Sequence, residues 1–226
     1  MSTLVFWMDV DNTLLNNDHV KEVWDKALKV ELGPDLTRRF WDIYEQARHE
    51  RGVIDIPLSL ARLREQIPFS VMDEQTYEHV SSLFENYPFD QALYPHALET
   101  LRYLSTLGTT VVVSDGDKVF QAEKIVNSYI AEAVDGRVLL YTHKQEHLDE
   151  IMQRYPGDHY VIIDDKPQIL ADTRSKLGDL VTTVFVQQGH YAAEPLPDGF
   201  TPDISVARIG DLRSYNSQQF LTPAHH

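Results

Sequence analysis

Cysteine is absent from this chain. Without it there is no disulfide framework, no zinc–thiolate site and no cysteine nucleophile, and a reducing, cytoplasmic setting fits. Long apolar runs are missing too. No stretch approaches the roughly 20 apolar residues that a membrane-spanning helix needs. No basic leader precedes the strand-like run that begins at Leu4, so the sequence predicts no secretory signal. Basic residues are scarce: Lys and Arg total 20 against 35 Asp and Glu, a formal net charge of −15. So acidic a chain lacks the basic face of a general nucleic-acid binder. An enzyme of anionic substrates built on it must concentrate positive charge locally, as a bound cation or a few placed Lys and Arg side chains. Internal repeats and low-complexity tracts are also absent.

What remains is an ordinary globular mixture. Of 226 residues, 42% are hydrophobic and 24% charged, enough for one domain, or one domain with a substantial insertion. Five apolar, β-branched runs bounded by polar turns predict buried parallel strands: Leu4–Met8, Thr110–Val113, Val138–Tyr141, Tyr160–Ile163 and Val181–Val186. Helical periodicity separates the last four. Leu98, Leu101 and Leu104 share a face before Gly108; Ala122, Val126 and Ile130 follow, then Leu148, Ile151 and Tyr155, then Leu170, Thr173 and Leu177. Such alternation predicts an α/β fold, a Rossmann-like parallel sheet with helices on both faces.

The interval after the first strand departs from this pattern. Helical faces fill it: Val20, Val23, Trp24, Ala27 and Leu28; Phe40, Ile43, Tyr44 and Ala47; Tyr77, Val80, Phe84 and Tyr87; and a shorter piece between Pro57 and Pro68. A crossover needs only about a dozen residues. Residues 16–92 are therefore expected to form an all-helical cap, with 1–15 and 93–226 as the catalytic core. The tail from Gln187 is expected to wrap the sheet edge, with Asp203–Val206 as a short extra strand.

Polar residues stand at the ends of these strands, where ligands of open parallel sheets bind. The first strand runs into Asp9-Val10-Asp11-Asn12-Thr13, the second into Ser114-Asp115-Gly116 and the fourth into Asp164-Asp165. Two acid pairs at one rim repel unless protons or a cation neutralise them. A hard divalent ion with oxygen ligands, Mg2+, suits them. Asp9 and Asp11, two residues apart, can address one face. One can attack phosphorus as a carboxylate while the other handles the proton. Ser114 offers a hydroxyl to a phosphoryl oxygen, and the N–H groups of Asp115 and Gly116, ahead of a helix, add anion donors.

In this order, Asp-x-Asp-x-Thr after an apolar strand, a Ser at the end of the next, a later Lys and an acidic pair after a further strand resemble the haloacid dehalogenase superfamily. The resemblance spans about residues 4–190. The helical insertion is similar to the family's first type of cap, and Tyr94-Pro95-His96-Ala97 to its entry into the helix before the second strand. The resemblance implies Asp9 as nucleophile and metal ligand, and Asp11 as acid/base that lends its backbone carbonyl to the metal. It implies Thr13 as loop support, Ser114 and Lys144 as phosphoryl grips, and Asp165, with Asp164 direct or through water, as metal ligands. Gln145 stands where the family usually has Pro after the Lys, and Lys118 and Lys124 compete with Lys144 for its role.

The expected activity is magnesium-dependent hydrolysis of a small phosphorylated metabolite through an aspartyl-phosphate, with neither nucleic acid nor membrane as partner. A phosphomutase is the alternative within the fold, and a non-catalytic phosphate-binding or regulatory protein the alternative outside enzymology. Dehalogenation is disfavoured because Asp11 is present. Phosphonate cleavage would need a cap lysine as amine, and the sequence singles out none of Lys21, Lys26 and Lys29. Duller readings also exist: Asp164-Asp165 as a helix cap at Pro167, Ser114 as a cap, Lys166 as a surface charge or one just behind the site's ligands, and Trp24, Phe40, Trp41 and Tyr44 as cap core. His19, His49, Arg48 and Arg51 are expected to face solvent.

Overall fold

A computed structural model describes residues 3–52 and 54–222. Met1, Ser2 and the terminal His225-His226 lie outside the described residues. Six parallel strands form one sheet: β1 (Leu4–Met8), β2 (Thr109–Asp115), β3 (Val138–Tyr141), β4 (His159–Asp164), β5 (Val181–Val186) and β6 (Ile204–Val206), in the order β3-β2-β1-β4-β5-β6. The strand order turns about β1, which pairs with β2 on one side and β4 on the other. Every residue of β1 is buried, as expected for a central strand covered on both faces. Leu4, Phe6 and Met8 point into one core, with Leu101 and Leu104 of α4 (Ala97–Leu107), Ile125 of α5 (Phe120–Asn127) and Ile130 of α6 (Ile130–Ala133). Val5 and Trp7 point into the other, with Ile151 of α7 (Leu148–Arg154) and Leu170 of α8 (Pro167–Leu177). The tail supplies β6 and α9 (Ser217–Leu221), whose Phe220 meets Phe6 edge-on at 5.1 Å.

One expected face fails. Ala122, Val126 and Ile130 do not line one helix. The helix stops at Asn127, Tyr129 adopts φ 61°, and a new turn begins at Ile130. Val126 is 60% exposed, and Gln121, Lys124 and Ile125 are the buried side chains of α5. Asp203 is likewise no strand residue: its carboxylate accepts from the Thr183 N–H and hydroxyl and pairs with Arg174.

Between Asn16 and Ala92 the described residues contain helices and no strand. The chain leaves and returns side by side: Leu15 bridges Leu93, and the Asn16 N–H donates to Ala92 O at 2.8 Å. Helix α1 (Asn17–Arg51) is broken at Gly33, whose φ 79° and ψ 166° are not helical. Pro34 begins the second arm, where its missing N–H costs nothing. The arms fold back on each other, so that the Trp41 indole donates to Asp25 at 2.9 Å. Helices α2 (Ile56–Glu65) and α3 (Glu74–Glu85) close the bundle. Its core is aromatic: Trp24 lies 5.0 Å from Phe84, and Phe40 lies 5.4 Å from Phe84. Trp24 also contacts Phe120 of α5 at 5.9 Å, tying the bundle to the sheet unit. Among the described residues no helix is long and apolar enough to cross a membrane.

Candidate active site

The loop after β1 is tightly wound. The Asp9 N–H extends the ladder to Ile163 O at 3.0 Å, then Leu14 and Leu15 N–H groups turn back to Val10 O at 2.9 and 3.0 Å. Asn12 takes φ 58° at the apex, a left-handed conformation that Asn tolerates better than most residues. The turn presents the buried Asp9 carboxylate at the sheet rim.

Around Asp9 the strand ends converge. One carboxylate oxygen from each of Asp9, Asp164 and Asp165 lies within 4.8 Å of the others, and all three residues are buried. Lys144, in the single turn after β3, donates from Nζ to Asp9 Oδ1 at 2.5 Å and to Val113 O at 3.1 Å, and pairs with Asp164 Oδ2 at 2.7 Å. Asp115 fixes that turn, since its Oδ1 accepts from the Lys144 N–H at 2.7 Å. The Lys166 N–H donates to Asp164 Oδ1 at 2.9 Å. Asp9 Oδ2 and both oxygens of Asp165 are buried without any partner. Buried oxygens are normally satisfied, so orphaned carboxylate oxygens in a trio whose members can each place an oxygen within 4.8 Å of the others fit a hard cation.

The electrostatics follow. Burial, with Asp164 next, pushes Asp9 up to about 6. Burial, with Asp164 and Asp9 next, pushes Asp165 up to about 9. Burial opposes the charge on Lys144, but Asp164 and Asp9 outweigh it and raise its pKa. Lys166, half-buried, is raised in the same way by Asp9, Asp164 and Asp165 against burial. The site has too many acids for its two lysines.

Of the three lysines that compete in the sequence, Lys144 reaches Asp9, Lys118 is exposed, and Lys124 reaches Asp11 instead. Lys124 Nζ donates to Asp11 Oδ1 at 2.8 Å and to Asn17 Oδ1 at 3.2 Å, joining the β1 loop to the first turn of α1. The Asp11 side chain therefore stands apart from the acidic trio. Ser114 is buried at the end of β2, where its Oγ accepts from Gln121 Nε2 at 3.0 Å, leaving its own hydroxyl hydrogen to give. Thr13 Oγ1 is buried without a partner.

The expected anion donors at Gly116 need correction. The Gly116 N–H is spent on Tyr141 O at 2.9 Å, continuing the β2–β3 ladder. The following helix begins only at Phe120, and Asp117 Oδ1 accepts from the Val119 and Phe120 N–H groups, each at 2.9 Å. Gly116 and Asp115 instead line the entrance to the site.

That entrance is a pocket of about 230 Å3 between bundle and sheet unit. Asp11, Asp115, Lys166 and Tyr191 line it from the sheet unit and Arg48 from the bundle. Arg48 is exposed, as expected, and also borders this pocket; Lys166 is half-buried beside the acidic trio and lines it as well. Of the bundle lysines, Lys26 and Lys29 are exposed, whereas Lys21 is half-buried with Nζ 5.3 Å from the Tyr44 ring centroid.

The segment after β5 escaped sequence reasoning, although it obeys the same strand-end logic. Gln188 donates to Thr13 O at 3.0 Å and accepts from the Ile209 N–H at 2.8 Å. Asp18, in the first turn of α1, accepts from the His190 N–H at 2.8 Å and from Asn12 Nδ2 at 3.1 Å. Between them Gly189, at φ 66° and ψ −172°, abuts Asn12; a Cβ there would lie 2.6 Å from Asn12 Cβ. That backbone region is essentially restricted to glycine. Gly189→Ala is expected to destabilise the fold by about 1–3 kcal/mol and to lower kcat by displacing the β1 loop. Urea unfolding and steady-state kinetics check both.

A haloacid dehalogenase-like hydrolase from Burkholderia xenovorans LB400 is 42% identical to this chain; the match covers 96% of this chain and 100% of that one, with a TM-score of 0.85. The chain belongs to the haloacid dehalogenase-like hydrolases, and it is an enzyme of the hydrolase class. Two further solved structures, each 14% identical, share the fold. One is the HAD-hydrolase YfnB from Bacillus subtilis, bound to magnesium (TM-score 0.62; 94% of this chain, 97% of that one). The other is L-2-haloacid dehalogenase from Xanthobacter autotrophicus with chloropropionic acid covalently bound (TM-score 0.60; 94% and 97%). No protein-family model and no curated protein matches the chain.

Proposed function

We propose that this hydrolase is a magnesium-dependent phosphatase of small phosphomonoesters and works through an aspartyl-phosphate on Asp9. The observation that carries the reading is the buried trio Asp9, Asp164 and Asp165, which can each offer one carboxylate oxygen within 4.8 Å of the others and which keeps orphaned oxygens on Asp9 and Asp165. Asp9, Asp164 and Asp165 would hold Mg2+, and the Asp11 backbone carbonyl is assigned to it by family resemblance. When bound, the ion offsets the repulsion between the Asp9 carboxylate and a phosphate dianion. A dehalogenase, which expels halide, has no use for a proton donor at the position of Asp11 or for such a cation site.

In the first step an Asp9 carboxylate oxygen attacks phosphorus and the bond to the leaving oxygen breaks. Asp11 supplies the proton that this oxygen takes. In the second step Asp11 removes a proton from water, the water oxygen bonds to phosphorus, the P–O bond to Asp9 breaks, and inorganic phosphate leaves. Lys144 and the Ser114 hydroxyl hold the phosphoryl oxygens. Lys124 of α5 aims Asp11.

Two experiments test this. An aryl phosphate should be turned over with Mg2+ and not after chelation; turnover that survives chelation would sink the metal assignment. Asp11→Asn should slow a sugar phosphate by about 10²–10⁴-fold and slow the first step on an aryl phosphate far less, because an aryl oxide leaves without a proton. Equal slowing of both in single-turnover kinetics would reduce Asp11 to a support of the loop.

A further inference from the structure

Asn12 stands between Asp11 and Thr13 at the apex of the β1 loop, left-handed at φ 58° and only 3% exposed. Each of its polar groups is engaged. Its N–H donates to Leu15 O at 2.7 Å, and its carbonyl accepts from Gln188 Nε2 at 3.4 Å. Its side-chain amide closes a ring with one residue of the bundle: Oδ1 accepts from the Asp18 N–H and Nδ2 donates to Asp18 Oδ1, each at 3.1 Å. The Asp18 N–H is one of the donors that the first turn of a helix leaves free, since the cap residue of α1, Asn16, accepts from the His19 N–H instead. The loop after β5 holds Asp18 in turn. Asp18 Oδ2 accepts from the His190 N–H at 2.8 Å, and the ring Nδ1 of His190 lies 2.8 Å from Asp18 Oδ1. A carboxylate only accepts, so that ring nitrogen carries a proton. Burial opposes the charge on Asp18, but the bonds from Asn12 and His190 outweigh it and hold its carboxyl below the usual range. None of Asn12, Asp18 and His190 lines the entrance pocket.

We infer that Asp18 is a positioning residue of the reaction: through Asn12 it fixes the peptide that follows Asp11, and so the place from which the Asp11 carboxyl reaches the leaving oxygen. This rests on the phosphatase reading for the role of Asp11. Lys124 holds Asp11 by its carboxylate, at 2.8 Å; Asp18 sets the main chain that carries it. A residue with a side chain keeps a left-handed φ only where its surroundings impose it, and the side-chain contacts that impose it on Asn12 come from α1 and from the loop after β5. Without the Asp18 carboxylate the ring opens, and Asn12 is free to relax toward negative φ and carry Asp11 off its line. A displacement of about 1 Å costs on the order of 10²-fold in such a step.

The test compares two variants. Asp18→Ala removes both acceptor oxygens; Asp18→Asn keeps one for Asn12 Nδ2 and gives up the charge that faces His190. Asp18→Ala is expected to lower kcat on a sugar phosphate by about 10- to 100-fold. The first step on an aryl phosphate, which needs no proton, should slow by less than about 3-fold. Asp18→Asn should recover most of the sugar phosphate rate. Added to Asp11→Asn, the Asp18→Ala change should cost less than about 2-fold more, because the group it positions is already gone. Equal losses on both esters, a loss that multiplies with that of Asp11→Asn, or an Asp18→Asn protein as slow as Asp18→Ala would overturn the inference. Hydrogen exchange followed by mass spectrometry tests it without turnover. In Asp18→Ala the Asn12, Leu14 and Leu15 amides, bonded within the loop, should exchange faster by about 10-fold or more, while peptides from β2 and β4 exchange as in the wild type. Exchange that rises equally throughout would make Asp18 a general support of the fold and overturn its positioning role. Failure of the wild type to turn over any ester would remove the phosphatase reading, and with it the role of Asp11, while exchange confined to the loop would still show that Asp18 holds Asn12.

Discussion

Asp9→Asn is expected to lower turnover by about 10⁴-fold or more while the protein stays folded. An amide oxygen is a poor nucleophile toward phosphorus, and the neighbouring carboxylates are engaged: Asp164 by Lys144 and the Lys166 N–H, Asp11 by Lys124, and Asp165 would be taken by the metal. Folding should tolerate the change. Asp9 lies in a crowded set of acids, where burial and Asp164 make its charge costly. Removing that charge relieves repulsion and leaves Lys144 its contact with Asp164. Without metal, the variant should therefore melt no lower than the wild type. A variant that melts clearly lower, or that retains turnover within a few-fold, would contradict the assignment.

The second large effect concerns Mg2+ and stability. A cation that binds only the folded trio stabilises it by about 2.7 kcal/mol at a concentration 100 times its Kd. For a chain of this size that corresponds to about 5–10 °C in melting temperature. Asp165 has both carboxylate oxygens orphaned, so it has the most to offer the ion and the fewest duties elsewhere. Asp165→Asn should abolish the magnesium shift and cost little in the metal-free protein. Asp115→Asn, by contrast, weakens the acceptor of the Lys144 N–H but should preserve most of the shift. Thermal melts with and without Mg2+ decide it: a full shift in Asp165→Asn would place the ion elsewhere.

Strand positions were legible because each strand is a short β-branched run between polar turns, and the edges moved by a residue or two. The acidic trio was legible for the same reason. In a parallel sheet every strand delivers its last residues to one rim, so Asp9, Ser114 and Asp164-Asp165 had to meet. What depended on neighbours was not legible. Whether the Gly116 N–H is free is decided by its pairing with Tyr141 on β3, not by Gly116. Whether Ala122, Val126 and Ile130 share a face is decided by the left-handed Tyr129 between them. Lys124 looked like a rival of Lys144, and its partner, Asp11, is set by how α5 packs beneath α1. Lys21 and Tyr44 lie far apart in the chain and meet only through the reversal at Gly33, a consequence that helical periodicity cannot carry. Gln188, Gly189 and His190 could have been found, since they follow an apolar strand as the other site residues do.

The central claim is that Asp9 becomes phosphorylated and that Asp11 is needed to release the phosphate. The most direct measurement mixes the Asp11→Asn protein with aryl phosphate and Mg2+, quenches with acid on the millisecond scale, and maps the peptides by mass spectrometry. The account predicts a phosphate adduct on the peptide that carries Asp9, formed in step with a burst of aryl oxide and absent when Asp9→Asn is added to the same protein. Release of aryl oxide with no adduct at any time, or an adduct on a peptide other than that of Asp9, would contradict it.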